Sequence, residues 1–356
     1  MRALTLLALL STAAVAEEPK FAISAPPGFA VSVWANAPNA RSMVWGDKGT
    51  LFVGTKDKGV VYAVRDFNGD GFPDVKVLAK DLREPTGVAF RNKALYVATI
   101  ETLLRFDDIE DNLEKTLKPV KVTTFPSEGW HGWREIGFGP DDKLYVAIGA
   151  PCNVCEPKEG YAVILKMNPD GTERTTVAKG VRNSVGITWH PTTRRLWFTE
   201  NGRDMMGDDK PEDELNVVLA EGSNFGFPAC HQGDLVDPEF GKGKKCSDYV
   251  APVAKLGPHT AALGLAFYTG KSFPKEYRGD LFIALHGSWN RSKKSGYQVV
   301  RAKVDGDKVT KVEPFLTGFL VGEKTLGRPV DVIVASDGAL LVSDDETGNI
   351  YRVAPK

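Results

Sequence analysis

The chain has 356 residues, with 45 Lys+Arg against 46 Asp+Glu and a formal net charge of −1. That balance argues against a protein working by phosphate neutralisation, which needs a strong basic excess or stripe. A content of 42% hydrophobic and 26% charged residues excludes a disordered or fibrous chain, and 36 Gly with 22 Pro suggests many tight turns between short strands.

The first sixteen residues read as a targeting segment. Met1-Arg2 is a short positive n-region, Ala3 to Leu10 is an apolar h-region, and Ala14-Val15-Ala16 is an A-x-A cleavage site before Glu17-Glu18. The pattern predicts a secretory signal peptide rather than a buried N-terminal helix, and hence a periplasmic or secreted protein. No later run approaches the ~20 apolar residues that span a bilayer, so no membrane span is expected.

From residue 43 the chain repeats one unit six times: an apolar strand start, a polar turn, then an aromatic-aliphatic strand. The copies are Met43 to Trp45 with Leu51 to Gly54, Gly87 to Phe90 with Leu95 to Ala98, and Ile136 to Phe138 with Leu144 to Ala147. They continue as Gly186 to Trp189 with Leu196 to Thr199, Gly264 to Phe267 with Leu281 to Ala284, and Val330 to Ile333 with Leu340 to Ser343. Third strands follow most copies, at Val60 to Arg65, Leu103 to Asp107, Val163 to Met167, Tyr297 to Arg301 and Ile350 to Arg352. Short strands at a spacing of roughly 40–50 residues, without helical periodicity, are the signature of propeller blades. The reading is an all-β, six-bladed β-propeller filling residues 17–356, with an insertion at 222–258 between blades four and five. A pair of β-sandwiches is the alternative.

Loops between the strands carry the candidate chemistry. Asp66, Asn68, Asp70 and Asp74 stand at positions 1, 3, 5 and 9 of a loop with Phe72 at position 7, resembling the first part of an EF-hand calcium loop. The Glu of position 12 is absent, Val77 standing there, so an acidic turn without an ion is the alternative. His131, in the Gly- and Trp-rich loop Ser127 to Arg134, faces the channel mouth, where an imidazole can act as a general base. Cys152-Asn-Val-Cys155 and the pair Cys230 and Cys246 allow three connectivities; two local disulfides fit an oxidising compartment better than a four-cysteine zinc site. Arg182, beside Asn183, and Arg328 enter blades four and six at one repeat position, where guanidinium forks suit carboxylates. The acidic stretch Glu200 to Asp204, Asp208-Asp209 and Glu212 to Glu214 reads as a second loop on the side of Arg182, able to hold a hard cation through carbonyls and water. His190 reads as structural. There is no G-x-G-x-x-G that opens a helix, no nucleophile elbow and no H-E-x-x-H.

Taken together, Gly129 to Pro140, Arg182-Asn183, Glu200 to Arg203 with Asp213 to Asn216, and Gly327 to Val332 resemble the soluble quinoprotein glucose/sorbosone dehydrogenase family, especially its sorbosone dehydrogenase-like branch. The resemblance implies a six-bladed propeller carrying pyrroloquinoline quinone (PQQ) and calcium at the channel mouth. It implies that His131 is the general base for a substrate hydroxyl, that Arg182 and Asn183 bond the quinone oxygens, and that Arg182 stabilises negative charge there. Gly202 and Arg203 would bind the cofactor calcium through their carbonyls, and Arg328 would bind a cofactor carboxylate. The family's second cofactor arginine is replaced by Val330, its lysine has His286 or Arg291 as stand-ins, and the acidic residue before the base is Trp130. Thr260 or His259 joins the site. The implied activity is a periplasmic PQQ-dependent dehydrogenase acting on a sugar or sugar aldehyde and delivering electrons to a cytochrome or quinone, with no nucleic-acid partner. A calcium-dependent lactonase-type hydrolase and a non-catalytic binding propeller are the alternatives.

Overall fold

The computed structural model describes residues 18–356; the signal-peptide reading of residues 1–16 lies outside them. Six sheets follow one another along the chain as the blades of a β-propeller, antiparallel except where Ser223–Asn224 pairs parallel with Thr175–Lys179 at the edge of blade three. All six predicted strand pairs are present as the first and second strands of the blades. They are Ala40–Trp45 with Leu51–Thr55, Gly87–Arg91 with Ala94–Ala98, Ile136–Phe138 with Leu144–Ile148, Ile187–Trp189 with Leu196–Glu200, Ala262–Phe267 with Leu281–Leu285, and Pro329–Val334 with Leu340–Asp344. Every second strand is buried along its whole length, because neighbouring blades cover both of its faces, and each carries at least three consecutive apolar residues rather than an alternation.

Each of the six interfaces between blades has its own apolar cluster. Phe52 and Val61 meet Val88 and Leu95 between blades one and two, and Trp197 and Leu215 meet Leu265 and Leu281 between blades four and five. The ring is closed by a strand that the repeat analysis omitted. Phe29–Asn36 pairs antiparallel with the last strand, Asn349–Pro355, as the outer strand of blade six. Phe29 then reaches blade five, its ring 4.6 Å from Phe273, 5.3 Å from Tyr277 and 5.5 Å from Phe315.

Two readings are corrected in blade four. Glu212 to Glu214 is not loop but the start of its third strand, Glu212–Val217, with Asp213 and Glu214 both buried. The segment 222–258 does not follow blade four but lies inside it, since its last stretch, Ala254–Pro258, is the outer strand paired with Glu212–Val217. Both disulfides are local, Cys152–Cys155 and Cys230–Cys246. Among the described residues, no helix is long and apolar enough to cross a membrane.

Candidate functional site

A cavity of about 430 Å³ opens where the first strands of the blades begin. Its wall collects Asn39, Arg41 and Lys56 from blade one, His131 and Trp133 from the approach to blade three, and Arg182, Asn183, Asn201, Gly202, Asp204 and Asp213 around blade four. His259, His286, Asn290, Arg328 and Asp345 complete it from the later blades. Residues more than 300 positions apart therefore share one wall, because blades one and three to six deliver loops to the same end of the ring.

His131 sits at φ +51°, in the left-handed region that costs an ordinary residue strain. Two contacts hold it there. Arg134, 1% exposed, donates from NH1 to the His131 carbonyl at 2.9 Å, and its other nitrogens go to the Ile100 carbonyl at 3.1 Å and the Pro126 carbonyl at 2.6 Å. Gly149 lies so close that a Cβ there would fall 2.5 Å from the His131 Cβ. The imidazole Nδ1 is 2.8 Å from the Ala150 carbonyl, which only accepts, so Nδ1 carries the proton and Nε2 is left as a free acceptor. A carbonyl thus orients this histidine where a carboxylate is often found. Burial, reinforced by the Arg182 and Arg134 charges, lowers its pKa to about 3 against the pull of the Ala150 bond, so the ring is neutral at ordinary pH.

Two further histidines reach the wall with one nitrogen committed. His286 Nε2 bonds the Asp345 carboxylate at 2.8 Å, and His259 Nε2 bonds the Gly207 carbonyl at 2.8 Å. Burial lowers His286 to about 4. Burial alone would raise Asp345, but its bonds to His286 and Arg41 overcome that and hold it well below the usual carboxylate range.

Arg182 is 3% exposed and makes five side-chain hydrogen bonds, to Asn153 O and Oδ1, the carbonyls of Asn201 and Gly202, and Asp204 Oδ2. Its backbone N–H and that of Asn183 both donate to Glu200 Oε1. Arg328 differs: its guanidinium donates only to the carbonyls of His286 and Gly287, and it forms no ion pair among the described residues. Measured from the strand ladders, Arg182 stands seven residues before Trp189 and Arg328 six before Val334, so the two are one position out of register rather than equivalent.

The remaining sequence-predicted residues scatter. Thr260 is off the wall, its hydroxyl donating to Asp213 Oδ2 at 3.0 Å. Arg291 bridges to Asp208 and Asp209 at the rim. The Gly202 carbonyl lines the cavity and accepts from Arg182, keeping one lone pair, while the Arg203 side chain turns away to Asp237 at 2.6 Å. The Asp66 to Asp74 loop belongs to a different cleft, beside Trp34 and Trp45. There the Asp66 carboxylate caps the N–H groups of Gly69 and Gly71, and Asp70 Oδ1 caps Phe72 N–H. Among the described residues, no three His, Cys, Asp or Glu side chains group as a metal site.

Sequence reasoning missed Arg41. It is 3% exposed, bonds Asp345 at 2.7 Å and stacks 5.5 Å from the Trp133 ring. A signal existed: it stands four residues before Trp45, as Arg134 stands before Phe138, and both aromatic residues pair with the leucine that opens a second strand.

Several wall atoms lack partners. Asn183 Oδ1, Asn290 Oδ1 and one Arg41 NH2 are buried without a hydrogen bond, which is costly unless a ligand supplies one. Residues 23–356 match the TrAA12-like family. The chain belongs to that family. An uncharacterized protein of Borreliella burgdorferi is 32% identical across 98% of this chain and 95% of its own length. Two solved structures resemble this TrAA12-like chain in fold, each covering 95% of it and 98% of the solved chain. They are the holo form of the pyranose dehydrogenase PQQ domain from Coprinopsis cinerea (TM-score 0.80, 19% identity) and the calcium structure of the Trichoderma reesei Carbohydrate-Active Enzymes Family AA12 protein (TM-score 0.81, 21% identity).

Proposed function

We propose that this TrAA12-like protein is an exported quinoprotein oxidoreductase that oxidises a sugar or sugar aldehyde with PQQ and calcium. The observation that carries the reading is one cavity holding a neutral histidine with a bare Nε2, a guanidinium without a carboxylate partner and several unpartnered polar atoms. A planar tricarboxylate fits that set: Arg328 and the free NH2 of Arg41 would hold carboxylates, and the Asn183 amide nitrogen would donate to a quinone oxygen beside Arg182, whose five N–H groups are all engaged and which would act through its charge. The carbonyls of Gly202, which lines the cavity, and of its neighbour Arg203 would hold calcium, since a hard cation prefers oxygen. Such a cofactor would supply a hydride acceptor, and calcium would supply Lewis-acid polarisation.

The chain's own residues handle the proton. His131 Nε2 accepts the hydroxyl proton of the substrate, and the imidazolium is then stabilised by the Ala150 carbonyl on Nδ1. Arg182, fixed by five bonds, presents positive charge where negative charge builds up. Trp133 and Leu263 supply apolar wall against the sugar. A cytochrome or quinone is the proposed electron acceptor, and export is supported by the A-x-A signal and two disulfides.

The test is reconstitution with PQQ and calcium, followed by absorbance changes with aldoses and sugar aldehydes and an artificial acceptor. His131→Ala should lower turnover by roughly 10²–10⁴-fold while changing PQQ affinity only a few-fold. An unchanged rate removes the base from His131; failure of the parent protein to bind PQQ removes the quinoprotein reading altogether.

A further inference from the structure

The segment Ala150–Cys155 touches both halves of the candidate site. Ala150 accepts from His131 Nδ1 and donates its own N–H to the Arg182 carbonyl at 2.7 Å. Three residues on, Asn153 takes Arg182 Nε on its carbonyl at 2.8 Å and Arg182 NH2 on its amide oxygen at 2.9 Å. The same amide also grips Asp204, accepting from its N–H at 2.8 Å and donating Nδ2 to its carbonyl at 3.1 Å. Of the five side-chain bonds of Arg182, two end on Asn153 and a third ends on the Asp204 carboxylate that Asn153 holds. Only the two bonds from NH1 are independent of it.

We propose that Asn153, held in a four-residue ring by the Cys152–Cys155 disulfide, is the positioning residue that aims the Arg182 guanidinium and sets it in register with His131. The residue type follows from the contacts. The side chain must accept twice and donate once at the same spot, which an amide does and a carboxylate, alanine or leucine does not. The ring supplies the rest. Residues 151–155 form no strand, so the disulfide and the packing of Cys152 and Val154 on Ala150, Ala162 and Phe227 restrict the backbone of Asn153, with the Trp130 N–H on the Pro151 carbonyl and Arg182 Nε on the Asn153 carbonyl. The Cys230–Cys246 bond closes a separate loop, inside blade four.

This deepens the quinoprotein reading and rests on it for the ligand, but not for the geometry, so the experiment has two arms. In the first, PQQ binding with calcium is titrated by fluorescence in the parent protein, Asn153→Ala, Cys152→Ser/Cys155→Ser and the triple variant, with Tm recorded for each. Asn153→Ala should weaken PQQ binding 10–100-fold, as removal of a supporting contact behind a primary ligand commonly does, with Tm within about 2 °C of the parent. The serine pair should weaken binding in the same direction, and Asn153→Ala added to it should cost little more, since both act through one contact. Parent-like affinity in Asn153→Ala, or losses that multiply in the triple variant, overturns the proposal. In the second arm, crystal structures of the ligand-free variants locate the Arg182 guanidinium. A guanidinium displaced from the Asn201 and Gly202 carbonyls supports the proposal even if the parent binds no PQQ; one that has not moved overturns it. Asn153→Ala keeps the disulfide and carries both arms if the serine pair does not fold.

Discussion

Replacing Arg134 by Met tests whether a buried cation, rather than the strands, fixes the loop that carries His131. The guanidinium is 1% exposed and bonds three carbonyls, those of Ile100, Pro126 and His131. Charge-assisted bonds contribute about 1.5–3 kcal/mol each, roughly 5–9 kcal/mol in all. The desolvation of the cation offsets several kcal/mol of that, and burial does lower its pKa to about 10. Methionine matches the length but leaves three carbonyls without donors, so a net loss of about 3–5 kcal/mol is expected. For roughly 340 ordered residues, unfolding entropy is about 0.7 kcal/mol/K, so Tm should fall by about 4–7 °C. His131 should also relax from its left-handed backbone, which costs about 1–3 kcal/mol to hold. Differential scanning calorimetry reads the first effect, and the His131 imidazole resonance reads the second. A Tm within 1 °C of the parent together with an unchanged resonance would refute the reasoning.

Glu214 gives a pH-dependent outcome. Burial raises its pKa from 4.5 to about 7, so the folded protein keeps it protonated near neutrality and must ionise it against burial above that. Stability from this group is therefore present at low pH and lost as pH rises through about 7. In Glu214→Gln the unpartnered Asn216 Oδ1 can turn to accept the new amide. The variant should be more stable than the parent by about 2–3 kcal/mol at pH 8, with the gain vanishing near pH 4.5; equal urea midpoints at pH 8 would contradict this. Phe29→Ala should cost about 3–5 kcal/mol by removing a core ring from the Phe273, Tyr277 and Phe315 cluster, read from the guanidinium midpoint. A cost below 1 kcal/mol would mean that the closing strand is not anchored to blade five.

The blades were legible where burial is two-sided. Leu51 to Val53 and Leu281–Leu285 are apolar throughout, and that density marks them in any sequence. The outer strands were not, because Val120–Thr124 and Asp74–Ala79 face solvent and mix Lys and Thr with Val. Glu212 to Glu214 reads as loop because its acids look solvated; Asp213 and Glu214 are buried with donors from elsewhere, Gly202 N–H and the Thr260 hydroxyl on Asp213 and Gln232 N–H on Glu214. His131, Arg182 and Arg328 stood out through their glycine-rich loops. Arg41 and Asn153 did not, since Asp345 lies 304 positions from Arg41 and a C-x-x-C motif announces a bond between sulfurs, not the work of the residue between them.

The clasp of blade six gives the ring no privileged beginning. Phe29 lies opposite Pro355, and Lys356 N–H donates to the Gly28 carbonyl at 2.9 Å, so the two limits of the folded ring are neighbours. A linker from Lys356 to the segment that precedes Phe29, with a cut at the exposed turn around Gly306, rewrites which blade comes first while leaving the strand pairing within every blade in place. Blade order along the gene is then a historical label. The geometry that gathers His131, Arg182 and Arg328 depends on the circle, not on where it is opened.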